Sequence, residues 1–145
     1  MDAITTRQLE AAMDIHPIIF VDDNSSYLQI VESIIRQTGI RAHYATSGEE
    51  ALGILKGNPC EIMFTDLNMP GMDGYKLSKL AREILPGIHI IMVTAAASAY
   101  VARLAAMVGI SKVIAKPSRA EQLREMVKGA TPAAWIASHS CRNDS

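Results

Sequence analysis

The chain has 145 residues, 49% of them hydrophobic, which fits one domain with a core of ordinary size. Its 14 Lys and Arg against 15 Asp and Glu leave a formal net charge of -1 without long runs of one sign, which argues against direct nucleic acid binding. Nowhere do about 18 apolar residues run together, so no membrane-spanning helix is expected.

The first half of the chain alternates apolar runs of strand length with segments of helical period. Residues 17–21 are apolar without alternation, which is typical of a strand covered on both faces. A helix is predicted over residues 25–39, with Gly39 as its C-terminal cap. Residues 41–45 are more polar, as suits an edge strand, and residues 47–57 are predicted to form the second helix.

The second half continues the same alternation through three further units. A strand over residues 62–65 precedes a segment rich in turn formers and then a helix over residues 75–85. The last two units are a strand at 88–93 with a helix at 98–108, and a strand at 112–115 with a helix that Ser118 caps and that ends at Gly129. Five such units predict an α/β fold with a doubly wound parallel sheet, which binds ligands at the carboxyl ends of its strands.

Polar side chains follow four of the five predicted strands. Asp22 and Asp23 come after the first strand, Asp66 after the third, Thr94 after the fourth and Lys116 after the fifth. Singly, such residues are turn formers, helix caps or surface lysines. Together they supply carboxylate oxygens for a hard cation, an oxygen nucleophile, a hydroxyl donor and a fixed cation, which phosphoryl transfer requires. Carboxylates gathered within ~5 Å repel by on the order of 3 kcal/mol per pair, a strain that Mg²⁺ and a lysine would relieve.

The same segments carry a family resemblance. Their order and spacing resemble the response regulator receiver domain in its chemotaxis-regulator form, through Asp22-Asp23, residues 66–74 (DLNMPGMDG), residues 93–95 (VTA) and Lys116-Pro117. The resemblance spans residues 17–129 and implies a flavodoxin-like (βα)5 sandwich with five parallel strands in the order 2-1-3-4-5.

The resemblance implies a phosphoacceptor and a metal site. Asp66 would accept the phosphoryl group. Mg²⁺ would be bound by the carboxylates of Asp23 and Asp66, by the backbone carbonyl of Asn68 and, through a water molecule, by Asp22. Such a site suits Mg²⁺, which keeps several waters and takes few carboxylates together with phosphate oxygens.

The resemblance also assigns residues that contact the phosphoryl group. Thr94 and Lys116 would bond its oxygens, and Ala95 leaves space for its approach. In the family the bond before the proline that corresponds to Pro117 is commonly cis, which an X-Pro bond permits.

The sequence departs from the family pattern at the position that responds to phosphorylation. The resemblance implies a switch in which Thr94 moves and the surface of helix 4, strand 5 and helix 5 rearranges. An aromatic residue usually stands three positions before the lysine of strand 5, but here that residue is Val113, which has no ring to swing. Tyr100 on the fourth helix is an alternative moving aromatic, although a tyrosine there is more often simply packed or exposed. The same face is expected to serve a homodimer.

The expected function is that of a stand-alone response regulator, which is not an enzyme beyond its own phosphorylation and dephosphorylation. Its partners would be a histidine kinase or a histidine phosphotransfer protein, and an unknown downstream protein. The alternatives are a phosphorelay intermediate and a receiver-fold interaction or dimerisation scaffold that does not switch. An aspartyl-phosphate hydrolase of the dehalogenase type needs a second Asp where Asn68 stands.

The two ends are expected to lie outside the receiver domain of residues 17–129. Residues 1–16 are predicted to be a leader, either a short helix or disordered, and residues 130–145 a tail too short for an output domain. The leader lacks the apolar block of a signal peptide, and Cys60 and Cys141 lack disulfide-framework or zinc-ligand spacing. Reduced thiols and a cytoplasmic location are therefore expected.

Overall fold

The computed structural model describes residues 18–117 and 120–129. Five strands and five helices alternate along this part of the chain. The strands are β1 Ile18–Val21, β2 Ala42–Ala45, β3 Ile62–Thr65, β4 His89–Thr94 and β5 Lys112–Ala115. The helices are α1 Ser25–Arg36, α2 Gly48–Gly57, α3 Gly74–Ile84, α4 Ala99–Met107 and α5 Ala120–Gly129.

The strands form one parallel sheet in the order β2-β1-β3-β4-β5. This confirms the predicted order and the prediction that β2 is an edge strand. Val21 at the end of β1 lies opposite Thr65 at the end of β3, and Thr94 at the end of β4 lies opposite Ala115 of β5. The register therefore brings the residues that follow these strands to one edge of the sheet.

Helices cover both faces of the sheet, as a doubly wound fold requires. One apolar cluster joins the sheet to α2, α3 and α4, and the other joins it to α1 and α5. The apolar stripe predicted on the first helix is buried in the second cluster and consists of Leu28, Val31, Ile34 and Ile35. Each of these side chains contributes roughly 1.5–3 kcal/mol by leaving water.

Four helices begin at a side chain that caps the first turn. The side-chain oxygens of Asn24, Ser47, Asp73 and Ser98 accept hydrogen bonds from backbone amides of α1, α2, α3 and α4, respectively. Removing such a cap typically costs about 1 kcal/mol. Ser47 and Ser98 stand where the sequence places the starts of their helices, and Asp73 lies two residues before the predicted start of the third helix at residue 75.

The C-terminal end of α1 differs from the prediction. The helix ends at Arg36 with Gln37 as its cap, three residues before Gly39. The amide and the hydroxyl of Thr38 both donate to the carbonyl oxygen of Ile35, at 2.9 and 2.6 Å, and turn the chain out of the helix. Short polar side chains compete with the helical hydrogen bonds in this way.

Several predictions made from the sequence concern residues outside those described, among them the leader of residues 1–16, the cap at Ser118, Cys141 and the tail of residues 130–145. Cys60 is described: it is a free, buried thiol, and burial raises its pKa to about 11. Within residues 18–117 and 120–129, no helix has the length and apolarity needed to cross a bilayer.

Candidate functional site

Three carboxylates meet at the carboxyl edge of the sheet. The amide of Asp22 donates to the Ala45 carbonyl at 3.1 Å, and the amide of Asp66 donates to the Val21 carbonyl at 3.0 Å, so both residues extend the strand ladder. One carboxylate oxygen from each of Asp22, Asp23 and Asp66 lies within 4.8 Å of the other two. Asp22 is buried, Asp66 is partly buried and Asp23 is exposed. The predicted convergence of the three acidic residues is confirmed.

Lys116 places its ammonium group inside this acidic cluster. Its Nζ atom lies 2.6 Å from Asp22 Oδ2 and 3.3 Å from Asp66 Oδ2, and its side chain is 20% exposed. The backbone holds the residue as well, because its amide donates to the Thr94 carbonyl at 2.9 Å. A lysine that follows the edge strand β5 thus reaches carboxylates that follow β1 and β3.

Burial and charge act in opposite directions on the pKa values of this pair. Burial raises the pKa of Asp22, and the hydrogen bonds from Lys116 and from the Asn24 amide only partly offset it. Burial lowers the pKa of Lys116, but the hydrogen bond and charge of Asp22, followed by the charge of Asp66, outweigh it and leave the pKa raised. The ammonium therefore stays charged at neutral pH.

The charges of the cluster favour a further cation. At an effective dielectric of ~20, the carboxylates of Asp22 and Asp66, within 4.8 Å of each other, repel by roughly 3.5 kcal/mol. The cluster holds three carboxylates and the ammonium of Lys116, which contacts two of them, so two negative charges remain uncompensated when all three are ionised. Carboxylate oxygens are the ligands that hard divalent cations such as Mg²⁺ prefer, and the cluster therefore fits such an ion. Asn68 follows two residues after Asp66 and is exposed, and a role for its carbonyl as a ligand stays a prediction.

Thr94 ends β4 beside this cluster. Its side chain is buried, and its hydroxyl oxygen accepts a hydrogen bond from the Ala96 amide at 3.2 Å. Ala95 is exposed and presents no side chain beyond its methyl group. No peptide bond is cis in residues 18–117 and 120–129, so the Lys116–Pro117 bond is trans, which differs from the usual family form. The roles of these residues toward a phosphoryl group stay predictions.

The loop from β3 to α3 packs closely against Asp66. Leu67 donates its amide to Asp66 Oδ1 at 2.7 Å, and the Gly74 amide donates to the Leu67 carbonyl at 2.8 Å. A Cβ atom at Gly74 would collide with the Asp66 carbonyl oxygen, and Gly71 has a φ of +80°, which favours glycine. Both glycines therefore serve the geometry of the loop, as the turn-rich sequence predicts.

Two residues beside the cluster carry no clear signal in the sequence. The ring of Tyr27 in α1 lies under Lys116, with 4.4 Å between Nζ and the ring centroid. The buried hydroxyl of Thr65 donates to the Asp66 carbonyl at 2.9 Å. The only available signal for Tyr27 is its place in the first turn of the helix that follows Asp22 and Asp23, which puts it near the same edge.

Val113 and Tyr100, which the sequence links to a conformational switch, lie on β5 and α4. Val113 is half-buried and packs against the apolar cluster formed with α2, α3 and α4. Tyr100 on α4 is 66% exposed, and Met107 at the end of α4 is 77% exposed. A movement of either Val113 or Tyr100 on phosphorylation stays a prediction.

Asp22 makes the free energy of unfolding depend on pH in metal-free buffer. Because burial raises its pKa above the ordinary 3.8, folded Asp22 holds a proton at pH values where the unfolded chain has lost it. The free energy of unfolding therefore falls as pH rises through the raised pKa. We expect wild type to gain stability relative to Asp22→Asn as the pH is lowered from neutral toward the ordinary pKa of 3.8. Urea unfolding of both proteins across this range measures the difference, and curves that stay parallel would contradict it.

Comparison with known proteins identifies the family. Residues 18–128 match the response regulator receiver domain. The chemotaxis protein CheY-3 of Vibrio cholerae is 34% identical over 128 residues, covering 86% of this chain and 93% of that protein. The sensor histidine kinase RcsC of Salmonella typhi is 28% identical over 121 residues, 83% of this chain but 13% of that protein. A CheY-like receiver domain protein from Methanospirillum hungatei superposes with a TM-score of 0.73 at 25% identity, covering 84% of this chain and 98% of that one. The chain belongs to the response regulator receiver domain family.

Proposed function

We propose that the protein is a phosphorylation-dependent signalling module that accepts a phosphoryl group on Asp66. The phosphodonor is a histidine kinase or a histidine phosphotransfer protein, and the reaction depends on Mg²⁺. The observation that carries the proposal is the position of Lys116 Nζ, 2.6 Å from Asp22 and 3.3 Å from Asp66 within a cluster of three carboxylates. A fixed cation beside an acidic cluster suits phosphoryl transfer, which depends on positioning and on charge neutralisation.

The two oxygens of Asp66 have different surroundings, which supports the choice of nucleophile. Oδ1 accepts a hydrogen bond from the Leu67 amide, while Oδ2 faces Lys116. In the proposed reaction, Oδ2 forms a bond to phosphorus as the bond from phosphorus to the imidazole nitrogen of the donor breaks. The electron pair of the broken bond stays on the imidazole. Lys116 then pairs with an oxygen of the transferred group.

The other residues of the site have matching parts in this proposal. Asp22, Asp23, Asp66 and the carbonyl of Asn68 would hold Mg²⁺, which supplies neutralisation of phosphoryl charge when bound. The Thr94 hydroxyl accepts from a backbone amide and keeps its own proton to donate to a phosphoryl oxygen.

The test measures the intact mass of the protein after incubation with acetyl phosphate. One sample contains Mg²⁺ and the other contains a chelator instead. Wild type is expected to gain a phosphoryl adduct only with the metal, and Asp66→Asn is expected to gain none. Asp73→Asn is the matched control, since Asp73 belongs to the same loop but caps α3, and it should be phosphorylated like wild type. An adduct of equal yield on Asp66→Asn would contradict the proposal.

The output of the module is proposed to be a protein-protein interaction through the face of α4, β5 and α5. The exposed side chains of Tyr100 and Met107 on α4 support this choice. Either a downstream protein or a second copy of the chain would bind there, and Val113 replaces the usual aromatic residue of that face. The oligomeric state before and after phosphorylation distinguishes a homodimer from a separate partner.

We place the module at residues 17–129 and in the cytoplasm, where the free thiol of Cys60 would stay reduced.

Two other functions use the same fold. A phosphorelay intermediate would pass the group from Asp66 to another histidine, and the similarity to a segment of RcsC favours this alternative. Transfer from phosphorylated protein to a histidine phosphotransfer domain would identify it. A scaffold that does not switch would form no adduct even with a cognate kinase, and the replacement of the aromatic residue by Val113 favours that alternative.

A further inference from the structure

Among the residues that the structure describes, two acidic side chains and one aromatic ring contact the ammonium group of Lys116. Asp22 Oδ2 and Asp66 Oδ2 lie at 2.6 and 3.3 Å, and the centroid of the Tyr27 ring lies at 4.4 Å. A cation over the face of a tyrosine ring at this distance is attracted by the ring quadrupole. The ring therefore supplies a contact that carries no formal charge.

The Tyr27 ring is held by its own surroundings rather than by Lys116 alone. The residue stands in the first turn of α1, where its amide donates to the Asn24 side chain at 3.0 Å. Its ring packs against the apolar cluster formed with α1 and α5 and lines a small cavity together with Phe20, Leu28 and Met126. The ring thus forms a fixed wall on the α1 side of the site.

From this geometry we propose that Tyr27 is a positioning residue for Lys116 in phosphoryl transfer, and this inference rests on the proposed function. When a phosphoryl group reaches Asp66, the contact between Lys116 and Asp66 Oδ2 must give way to one between Lys116 and phosphoryl oxygens. The ring contact does not compete with that change. The ring contact keeps the ammonium group beside Asp66 while Lys116 exchanges the Asp66 carboxylate for phosphoryl oxygens. The ring also occupies the space into which the Lys116 side chain would otherwise turn.

The ring, not the hydroxyl, carries this role. The Tyr27 hydroxyl is buried and has no hydrogen-bond partner in the part of the chain that the structure describes, so removing its oxygen breaks no contact seen there. Burial raises the pKa of Tyr27 to about 12. The charge of Lys116 offsets this only in part, and the charges of Asp22 and Asp66 add to it. The side chain is therefore neutral at working pH, and phenylalanine would present an equivalent face.

The experiment compares rate constants for phosphorylation by acetyl phosphate in Mg²⁺, measured by intact mass on the full chain. Tyr27→Leu is expected to be slower than wild type by about threefold to thirtyfold, which corresponds to the strength of a cation-π contact. Tyr27→Phe is expected to restore the rate to within about twofold. The matched control is Tyr44→Leu. Tyr44 is also half-buried, packs against the same apolar cluster and stacks on Phe20. Its replacement should leave the phosphorylation rate near that of wild type. Thermal unfolding verifies that each variant is folded.

A double-mutant cycle separates positioning from a general structural role. In a Lys116→Met background, Tyr27→Leu should slow phosphorylation no further, because its effect acts through the lysine. An equal slowing in both backgrounds would overturn the inference, as would a Tyr27→Phe variant as slow as Tyr27→Leu. If wild type is phosphorylated and Tyr27→Leu keeps its full rate, only the role of Tyr27 fails. If wild type forms no adduct, the proposed function fails with it.

Discussion

Replacing Lys116 with methionine is expected to lower the free energy of unfolding in metal-free buffer by about 2–3 kcal/mol. The substitution keeps a side chain of similar length and removes the ammonium that contacts Asp22 and Asp66. Breaking a buried ion pair typically costs about 3–5 kcal/mol because a charge is left without its partner. The cost is smaller here because the Lys116 side chain is 20% exposed and because Asp22, whose pKa is already raised, can take up a proton. Urea unfolding at neutral pH measures the loss.

The same variant tests how the lysine and a metal share the acidic cluster. If Mg²⁺ binds the folded site, as proposed, and not the unfolded chain, it stabilises every variant that retains the site. We expect Mg²⁺ to raise the melting temperature of Lys116→Met more than that of wild type, because the ammonium no longer opposes the metal. Phosphorylation should still be slower by about a hundredfold, the usual effect of losing one group that stabilises developing charge.

The control for this prediction is Lys112→Met, which makes the same substitution at an exposed position of β5. It should change stability by less than about 0.5 kcal/mol and leave phosphorylation unchanged. A loss as large as that of Lys116→Met would show that methionine disturbs the edge strand itself. Equal responses of wild type and Lys116→Met to Mg²⁺ would contradict a shared site.

The sequence predicts the positions of the acidic residues well because they depend on strand ends alone. Asp22 and Asp66 follow buried apolar runs whose lengths are easy to recognise, and parallel strands of one sheet end at the same edge. The predicted order of the strands rests on the family resemblance, because a series of βα units is compatible with several strand orders. The sheet then confirms both the order and the convergence.

The contacts of individual side chains are harder to predict from the sequence. The distances from Lys116 to Asp22 and Asp66 depend on the conformation of a long, flexible side chain. Tyr27 stands in the first turn of a helix, and only the packing of α1 on the sheet decides that its ring faces Lys116. The end of α1 depends on local hydrogen bonds from Thr38, which compete with the helical pattern. These features arise from tertiary packing and local competition, which hydrophobic periodicity does not record.

The sheet provides a rigid frame for these contacts. Asp22 and Asp66 both extend the ladder of backbone hydrogen bonds, and Lys116 does so from the other side through Thr94. The backbones of Asp22, Asp66 and Lys116 are fixed by these hydrogen bonds. The Asp66 side chain can therefore keep its position only if the loop that follows it leaves enough room. That requirement falls on the β3–α3 loop and on Gly74 in particular.

Gly74→Ala is expected to lower both stability and the rate of phosphorylation. A Cβ atom there would collide with the Asp66 carbonyl oxygen and lie 3.0 Å from both Leu67 Cα and Met92 Cε. Two of these three atoms belong to the backbone of the loop, so they cannot move aside as a flexible side chain would. Overpacking of this kind costs about 1–3 kcal/mol, and we expect the upper part of that range. The displaced Asp66 should also react at least about tenfold more slowly, since misplacing a reacting group by about 1 Å can cost a hundredfold.

Gly53→Ala is the matched control for this prediction. Gly53 is an exposed residue inside α2, and beyond its own turn of helix a Cβ atom added there would meet open space in the described part of the chain. Alanine is the better helix former by about 1 kcal/mol, so this variant should be more stable than wild type and be phosphorylated at the same rate. Urea unfolding and acetyl phosphate kinetics on both variants decide the matter. If Gly74→Ala proved as stable and as reactive as wild type, the loop would be free to shift, and close packing against Asp66 would not be a requirement of the site.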